Sequence, residues 1–138
     1  MTDKTYNKPV PNFDDPDMGP FWVAAREHRL TAQRCTSCSA LRFPYLPICP
    51  TCLERGAEWA DVSTGGTIWS FVTYHRAFHP GFNDDLPYVV AIVENDDGVR
   101  YTGRICGLRE GLAVGARVRA VFIDETDEFT LPMWQLTA

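Results

Sequence analysis

Lysine is nearly missing from this chain of 138 residues: Lys4 and Lys8 are the two present, both close to the start. The 13 basic residues face 18 acidic ones, a net charge of −5. Binding along a nucleic-acid backbone needs Lys and Arg to neutralise phosphates, so no nucleic-acid partner is expected, although a local basic patch remains open. No apolar run reaches the roughly 18 residues of a membrane span, so no membrane partner is expected either. The first 17 residues are polar, and Pro9, Pro11 and Pro16 interrupt them. They lack the basic start and apolar stretch of a secretory signal, so the expected compartment is the cytoplasm. Internal repeats and low-complexity tracts are lacking as well.

What is present is ordinary globular composition, 45% hydrophobic and 22% charged. A chain near this length buries about 68–70% of its unfolded surface, so a real core is possible. Residues 1–16 read as an arm, because their prolines forbid a helix, and as a frayed terminus that Phe13 tacks down. Residues 17–29 read as a short amphipathic helix, with Asp17 or Gly19 as cap and Pro20 in the first turn. Phe21, Trp22 and Ala25 share one side of it. That side serves either packing within the chain or docking on a partner protein, with Phe21 and Trp22 as anchors.

Residues 30–60 hold four of the five cysteines as Cys35-x-x-Cys38 and Cys49-x-x-Cys52, ten residues apart. Leu30 to Arg34 reads as a strand entering the first pair, and the alternation of Leu41, Phe43 and Tyr45 as one leaving it. In a reducing compartment such pairs read as metal ligands before disulfides. Two residues between thiols let both reach one ion, and two such knuckles complete a tetrahedron. A closed four-thiolate site is structural. Zinc is the expected ion, and iron the minor alternative because Ile48–Cys49–Pro50–Thr51–Cys52 resembles a rubredoxin knuckle. Too few apolar residues lie between Leu30 and Trp59 to close a core, so the metal supplies folding free energy of order ~10 kcal/mol.

From Gly65 the pattern changes to five short alternating or β-branched segments, near residues 66–77, 88–94, 99–106, 116–124 and 129–136. Asn95–Asp96–Asp97–Gly98 is a strong hairpin signal. Five strands in so short a span indicate an OB-fold barrel. The expected architecture is mainly β: an arm and short N-terminal helix (1–29), a rubredoxin-like zinc ribbon (30–62) and a C-terminal five-stranded OB-fold barrel (63–138).

Several motifs together carry a resemblance: Pro20–Phe21–Trp22, Gln33–Arg34–Cys35, Arg42–Phe43–Pro44, Cys49–Pro50–Thr51–Cys52, Trp59, Gly65–Gly66–Thr67–Ile68–Trp69–Ser70–Phe71, Pro87–Tyr88–Val89–Val90–Ala91 and Gly115–Ala116–Arg117–Val118. Over roughly residues 18–136 the chain resembles the zinc-ribbon/OB-fold proteins associated with acyl-CoA enzymes, long catalogued as a domain of unknown function. The resemblance implies an accessory subunit of a hetero-oligomer. Its partner would be a thiolase-like or sterol-carrier-type condensing or aldol-cleaving enzyme, or a hotdog-fold enoyl-CoA hydratase. It would help bind an acyl-CoA with a steroid or fatty-acyl side chain and carry no complete catalytic constellation. One departure stands out: Ser39 and Leu53 follow the second cysteine of each knuckle, where the family often has glycine.

The candidate channel residues are Tyr74, His75, Arg76, Phe78, Phe82 and Tyr88, at the end of the first barrel strand and along the longest loop. His75 and Arg76 could polarise a carbonyl or hold a phosphate. Phe78, Phe82 and Tyr88 either close the barrel mouth or wall a pantetheine-sized channel. Arg76, Arg100, Arg104, Arg117 and Arg119 are candidate phosphate partners, although alternation favours a half-solvated strand for the last two. Cys106, in an apolar strand, reads as a small buried hydrophobe. The rival function is nucleic-acid binding, with Trp69, Phe71 and Tyr74 as a stacking platform.

Overall fold

The computed structural model describes residues 6–137, so Lys4 lies outside the described residues. A helix, α1 (Gly19–Arg26), precedes three short strands: β1 (Thr31–Cys35), β2 (Leu41–Arg42) and β3 (Ala57–Asp61). Five longer strands follow: β4 (Gly65–Tyr74), β5 (Tyr88–Asn95), β6 (Arg100–Cys106), β7 (Arg117–Asp124) and β8 (Thr130–Leu136). A 3₁₀ helix, Pro80–Asp85, lies between β4 and β5.

Helix α1 is shorter than the 13 residues its sequence suggests. Met18 occupies the N-cap without a side-chain bond, so neither Asp17 nor Gly19 caps it, and the Gly19 N–H donates to the Asp15 carbonyl at 2.8 Å. At the other end His28 adopts a left-handed φ of 60°. The His28 and Arg29 N–H groups then turn back to the Ala25 and Ala24 carbonyls at 2.9 and 3.0 Å, a Schellman-type stop. The spacing of Phe21, Ala24 and Ala25 buries one face of the helix.

In the ribbon, β1 is the middle strand, antiparallel to β2 and β3. Strand β2 stops at Arg42 rather than reaching Tyr45, because Pro44 has no amide hydrogen to donate. Strand β3 is not legible in the sequence. Its register, Thr31 opposite Asp61 through Cys35 opposite Ala57, is imposed by pairing with β1. The loop after β2 is pinned by side chains: Arg42 Nε donates to the Leu46 carbonyl at 3.1 Å, and Gln33 Oε1 accepts the Leu46 N–H at 2.8 Å.

The other five strands form a closed barrel in the order β4-β5-β6-β8-β7, with β7 returning to β4. Strands β6 and β8 are parallel at Ile105–Trp134 and Cys106–Gln135, and the other pairs are antiparallel. This five-stranded closure is the expected OB-type barrel. Gly98 takes φ 84° in the β5–β6 hairpin, as the Asp–Gly signal requires. Strand β4 ends at Tyr74, short of the expected residue 77.

Ribbon, helix and barrel share one core, in which Phe21, Leu30 and Ala32 join Ile68, Val93, Tyr101 and Trp134. The Phe21 ring lies 4.8 Å from Phe43, 6.4 Å from Trp59 and 6.5 Å from Tyr101, and Phe43 lies 4.5 Å from Tyr101. The Tyr101 hydroxyl donates to the Thr31 carbonyl at 2.8 Å, tying β6 to β1. Burial, helped by the charge of Asp97, pushes that hydroxyl well above the usual tyrosine range. Phe21 is only 4% exposed. Its assignment as a docking anchor is therefore corrected: the helix uses Phe21 to seal the chain's own core, because a barrel and a small ribbon leave an aromatic gap between them. Truncating Phe21 to Ala is expected to cost about 3–5 kcal/mol in a denaturant titration, whereas a loss below about 1 kcal/mol would remove Phe21 from the core.

Candidate functional site

The two knuckles converge. The sulfurs of Cys35, Cys38, Cys49 and Cys52 all lie within 4.8 Å of one another. Cys35 and Cys52 are 3.6 Å apart across the knuckles, as are Cys38 and Cys49. Metal–sulfur bonds of about 2.3 Å put tetrahedral sulfurs about 3.8 Å apart, so this donor set fits a zinc-sized ion. Amide hydrogens also point at sulfur, as in Ser37 N–H to Cys35 Sγ at 3.4 Å. The Cys52 amide, aided by that of Thr51 and outweighing burial, holds the Cys49 thiol down to about 6. At Cys52 the Glu54 amide favours the thiolate, but burial and the neighbouring sulfurs overcome it and push the thiol up to about 12. Four sulfurs this close suit a shared cation, which would hold all of them as thiolates. All four positions of a tetrahedron are filled by protein, so a bound ion would organise the fold and offer no open position to a substrate.

Ser39 and Leu53 both adopt left-handed backbone, φ 65° and 66°. Their N–H groups bond back to the Cys35 and Cys49 carbonyls, each at 2.9 Å. The knuckle turn thus keeps its shape without glycine, at a steric cost of roughly 1–2 kcal/mol per residue. Leu53 is 74% exposed, so its side chain returns little of that cost.

A second site lies on the barrel. A cavity of about 600 Å³ opens between the N-terminal arm, the 3₁₀ helix and strands β4, β5 and β8. Tyr74, Phe78, Phe82 and Tyr88 line it. Tyr74 stacks on Tyr88 at 5.1 Å, Phe82 packs against Tyr88 at 5.6 Å, and Phe78 stands edge-on to Tyr74 at 6.1 Å. His75 and Arg76 do not line the cavity. His75 is exposed, and the Arg76 guanidinium lies 5.8 Å over the Phe78 ring. Trp22, half-buried, reaches the cavity from the helix. The sequence reading missed the wall contributed by Tyr6, Lys8 and Val10, because the arm has no periodicity and reads as a frayed end.

Next to this apolar space is a polar cleft of about 430 Å³ bordered by Lys8, Asp85, Arg104 and Arg109. Asp85 pairs with both Arg104, at 2.9 Å, and Lys8, at 3.3 Å. Burial would raise the Asp85 carboxyl, but hydrogen bonds from Arg104 and then Lys8 outweigh it and hold the group below its usual value. The Arg104 guanidinium also lies 5.1 Å over the Tyr88 ring. Arg109 Nη2 donates to the Pro87 carbonyl at 2.7 Å. The other candidate phosphate arginines point elsewhere. Arg117 is held by Asp96 at 2.8 and 3.0 Å, Arg119 by Gln135 at 2.8 Å, and Arg100 lies 4.1 Å over Trp69. Cys106 is half-buried beside this cleft, and burial raises its thiol.

The proposed stacking platform is not assembled. Phe71 lies opposite the fully buried Ala91, whereas Tyr74 lies opposite Tyr88. Three residues apart on one strand, they face opposite sides. Trp69 sits in the bulge between Ile68 and Ser70 and is covered by Arg100.

Residues 22–58 match the family model "ChsH2, rubredoxin-like zinc ribbon domain", and residues 59–123 match "ChsH2, C-terminal OB-fold domain". A DUF35 domain-containing scaffold protein of Methanocaldococcus jannaschii is 35% identical over 67% of this chain and 67% of its own length. The chain belongs to the DUF35 family. Among solved structures, the one titled "Ltp2-ChsH2(DUF35) aldolase" superposes on this DUF35 chain with a TM-score of 0.81 at 30% identity, over 95% of this chain and 100% of that one. A 3-oxo-4,17-pregnadiene-20-carboxyl-CoA hydratase alpha subunit from Mycobacterium tuberculosis is 36% identical over 83% of this chain, which spans 36% of that subunit's length.

Elemental analysis of the purified DUF35 chain is expected to find one zinc per chain, and Cys35→Ser to lose it together with the ribbon's protection from proteolysis. A metal-free but fully protected variant would contradict this role. Leu53→Gly is expected to raise the unfolding midpoint by up to about 1 kcal/mol of stability, because glycine accepts the left-handed φ freely. A destabilised Leu53→Gly would show that the exposed side chain has contacts of its own.

Proposed function

We propose that this chain is an accessory acyl-CoA-binding subunit that docks on a thiolase-like enzyme acting on a CoA thioester. The observation that carries the reading is the joining of two unlike spaces: an apolar cavity with ring walls, and a polar cleft in which Arg109 stands beside the Lys8–Asp85–Arg104 cluster and Glu125, sharing Lys8 and Arg104 with the cavity. A CoA thioester has the same division, an apolar acyl and pantetheine portion and an anionic phosphate portion. The cavity volume falls within the usual range of small-molecule sites, about 300–1,000 Å³. Tyr74, Phe78, Phe82 and Tyr88 would contact the apolar part, and Arg104 and Arg109 the phosphates.

The bond-making chemistry belongs to the partner. His79 Nδ1 is taken up by accepting the Gly81 N–H at 3.0 Å, and His28 Nε2 lies 3.2 Å from Asp124 on another side. In this reading the complex makes or breaks a carbon–carbon bond, as in aldol cleavage on a steroid or fatty-acyl side chain, in the cytoplasm, with structural zinc in the ribbon. Likeness to a subunit of an aldolase supports it. A second reading, a hotdog-fold hydratase as partner, draws on the relative named as a hydratase alpha subunit. Trp22 at the cavity margin remains the docking residue of the proposal, since half-buried aromatics commonly dominate interface energy.

Co-expression with a thiolase-like enzyme and, separately, with a hotdog-fold hydratase tests both readings by size-exclusion chromatography. A stable complex with the thiolase-like enzyme, weakened at least about tenfold by Trp22→Ala, is the expected outcome. A complex with the hydratase alone would favour the second reading. Failure with both enzymes, coupled with tight binding of single-stranded RNA, would overturn the proposal.

A further inference from the structure

Residues 6–11 belong to neither the ribbon nor the barrel, yet they close one side of the cavity with Tyr6, Lys8, Pro9, Val10 and Pro11. Their hold on the barrel is unusual. Among the described residues, this segment makes no backbone–backbone hydrogen bond. Its anchors are side chains. The Tyr6 ring stands edge-on to Phe129 at 5.5 Å, and Lys8 Nζ pairs with Asp85 at 3.3 Å and lies 5.4 Å over the Phe82 ring. Burial, then the charges of Glu125 and Asp85, raise the Tyr6 hydroxyl, as fits a ring turned toward the barrel.

The seat for this segment is built into the barrel. The Asn7 carbonyl passes so close to Gly81, in the 3₁₀ helix, that a Cβ on that residue would come within 2.4 Å of the oxygen. Gly81 is itself buried and has no positive φ to explain its identity, so the close approach of the arm is what its lack of a side chain accommodates. Pro9 and Pro11 have fixed φ and no N–H, which keeps the segment from pairing as a strand and allows it to leave without breaking a ladder.

Resting on the acyl-CoA reading, we propose that residues 6–11 are a strap that supplies one wall of the acyl site and lifts to admit and release the ligand. The apolar acyl portion lies between the strap and the ring wall of Phe82, Tyr88 and Phe129. Lys8 couples the strap to the polar cleft, because the same Asp85 carboxylate holds Lys8 and Arg104. Closure of the strap therefore removes apolar ligand surface from water and sets Lys8 beside the anionic part at the same time.

The test uses zinc-loaded full-length protein, a full-length Gly81→Val variant and a variant lacking residues 2–11, with oleoyl-CoA as the probe. Gly81 does not itself line the cavity, and the atoms its new side chain would meet first are those of Asn7 in the strap. Among the described residues, none of 6–11 belongs to the shared core, so the shortened variant is expected to keep it. Binding is read by calorimetry. Strap position is read by the rate at which chymotrypsin cuts after Tyr6 in the two full-length proteins. The expected result is cleavage that oleoyl-CoA slows in the wild-type chain and that Gly81→Val accelerates, with affinity about tenfold weaker in both variants. Unchanged affinity in the variant lacking residues 2–11 would overturn the strap while leaving the acyl-CoA reading intact. A wild-type chain that fails to bind oleoyl-CoA would overturn the acyl-CoA reading and the strap with it.

Discussion

Four sulfur atoms within 4.8 Å of one another impose a condition on everything around them. Thiolates at that separation repel: against the Glu54 amide, burial and the neighbouring sulfurs raise the Cys52 thiol, while the Cys52 and Thr51 amides outweigh burial and lower that of Cys49. A divalent cation at their centre turns the repulsion into attraction. A bound ion would make the knuckles, whose backbone runs against steric preference at Ser39 and Leu53, the rigid end of a three-stranded sheet. That sheet contributes Ala32 and Trp59 to the surroundings of Phe21, and so the metal end and the barrel become one object.

The fusion fixes the geometry of the cavity. Strand β6 carries both the fastening and the cavity wall: Tyr101 reaches into the core to hold the Thr31 carbonyl, and Arg104, three residues further on and so on the opposite face, reaches the cavity rim. Helix α1 does the same on a smaller scale, with Phe21 inward and its neighbour Trp22 at the cavity margin.

The parts of this structure legible in the sequence were those with local causes. The cysteine spacing follows from how far two thiols on one knuckle can reach, and the Asn95–Gly98 turn from the φ that only glycine takes easily. The barrel strands alternate strongly enough for their limits to be read within a few residues, as at β5 and β7. Non-local causes were hidden. Strand β3 exists because β1 offers it partners, and the direction of Phe21 depends on Phe43 and Tyr101, distant in sequence. In the candidate site, the ring residues Tyr74, Phe78, Phe82 and Tyr88 were legible from clustering along one loop. His75 and Arg76 lie in the same stretch but outside the cavity: the strand ends at Tyr74, so its alternation no longer sets their direction. The arm's contribution was unreadable, since three prolines and scattered polar residues specify no element.

Closure of the barrel has a consequence for how this molecule avoids sticking to itself. Strand β7 pairs with β4 at Gly65–Thr67, and β6 meets β8 in a short parallel seam, so closure shortens the edges on which another chain could template itself. The small ribbon sheet is different: β2 and β3 are its outer strands, and each has one side without a strand neighbour. Only two residues long, β2 is too short to seed a fibre, and β3 carries Glu58 and Asp61, whose like charges would oppose stacking of identical copies. Protection against amyloid-like growth is thus topological in the larger sheet and electrostatic in the smaller one.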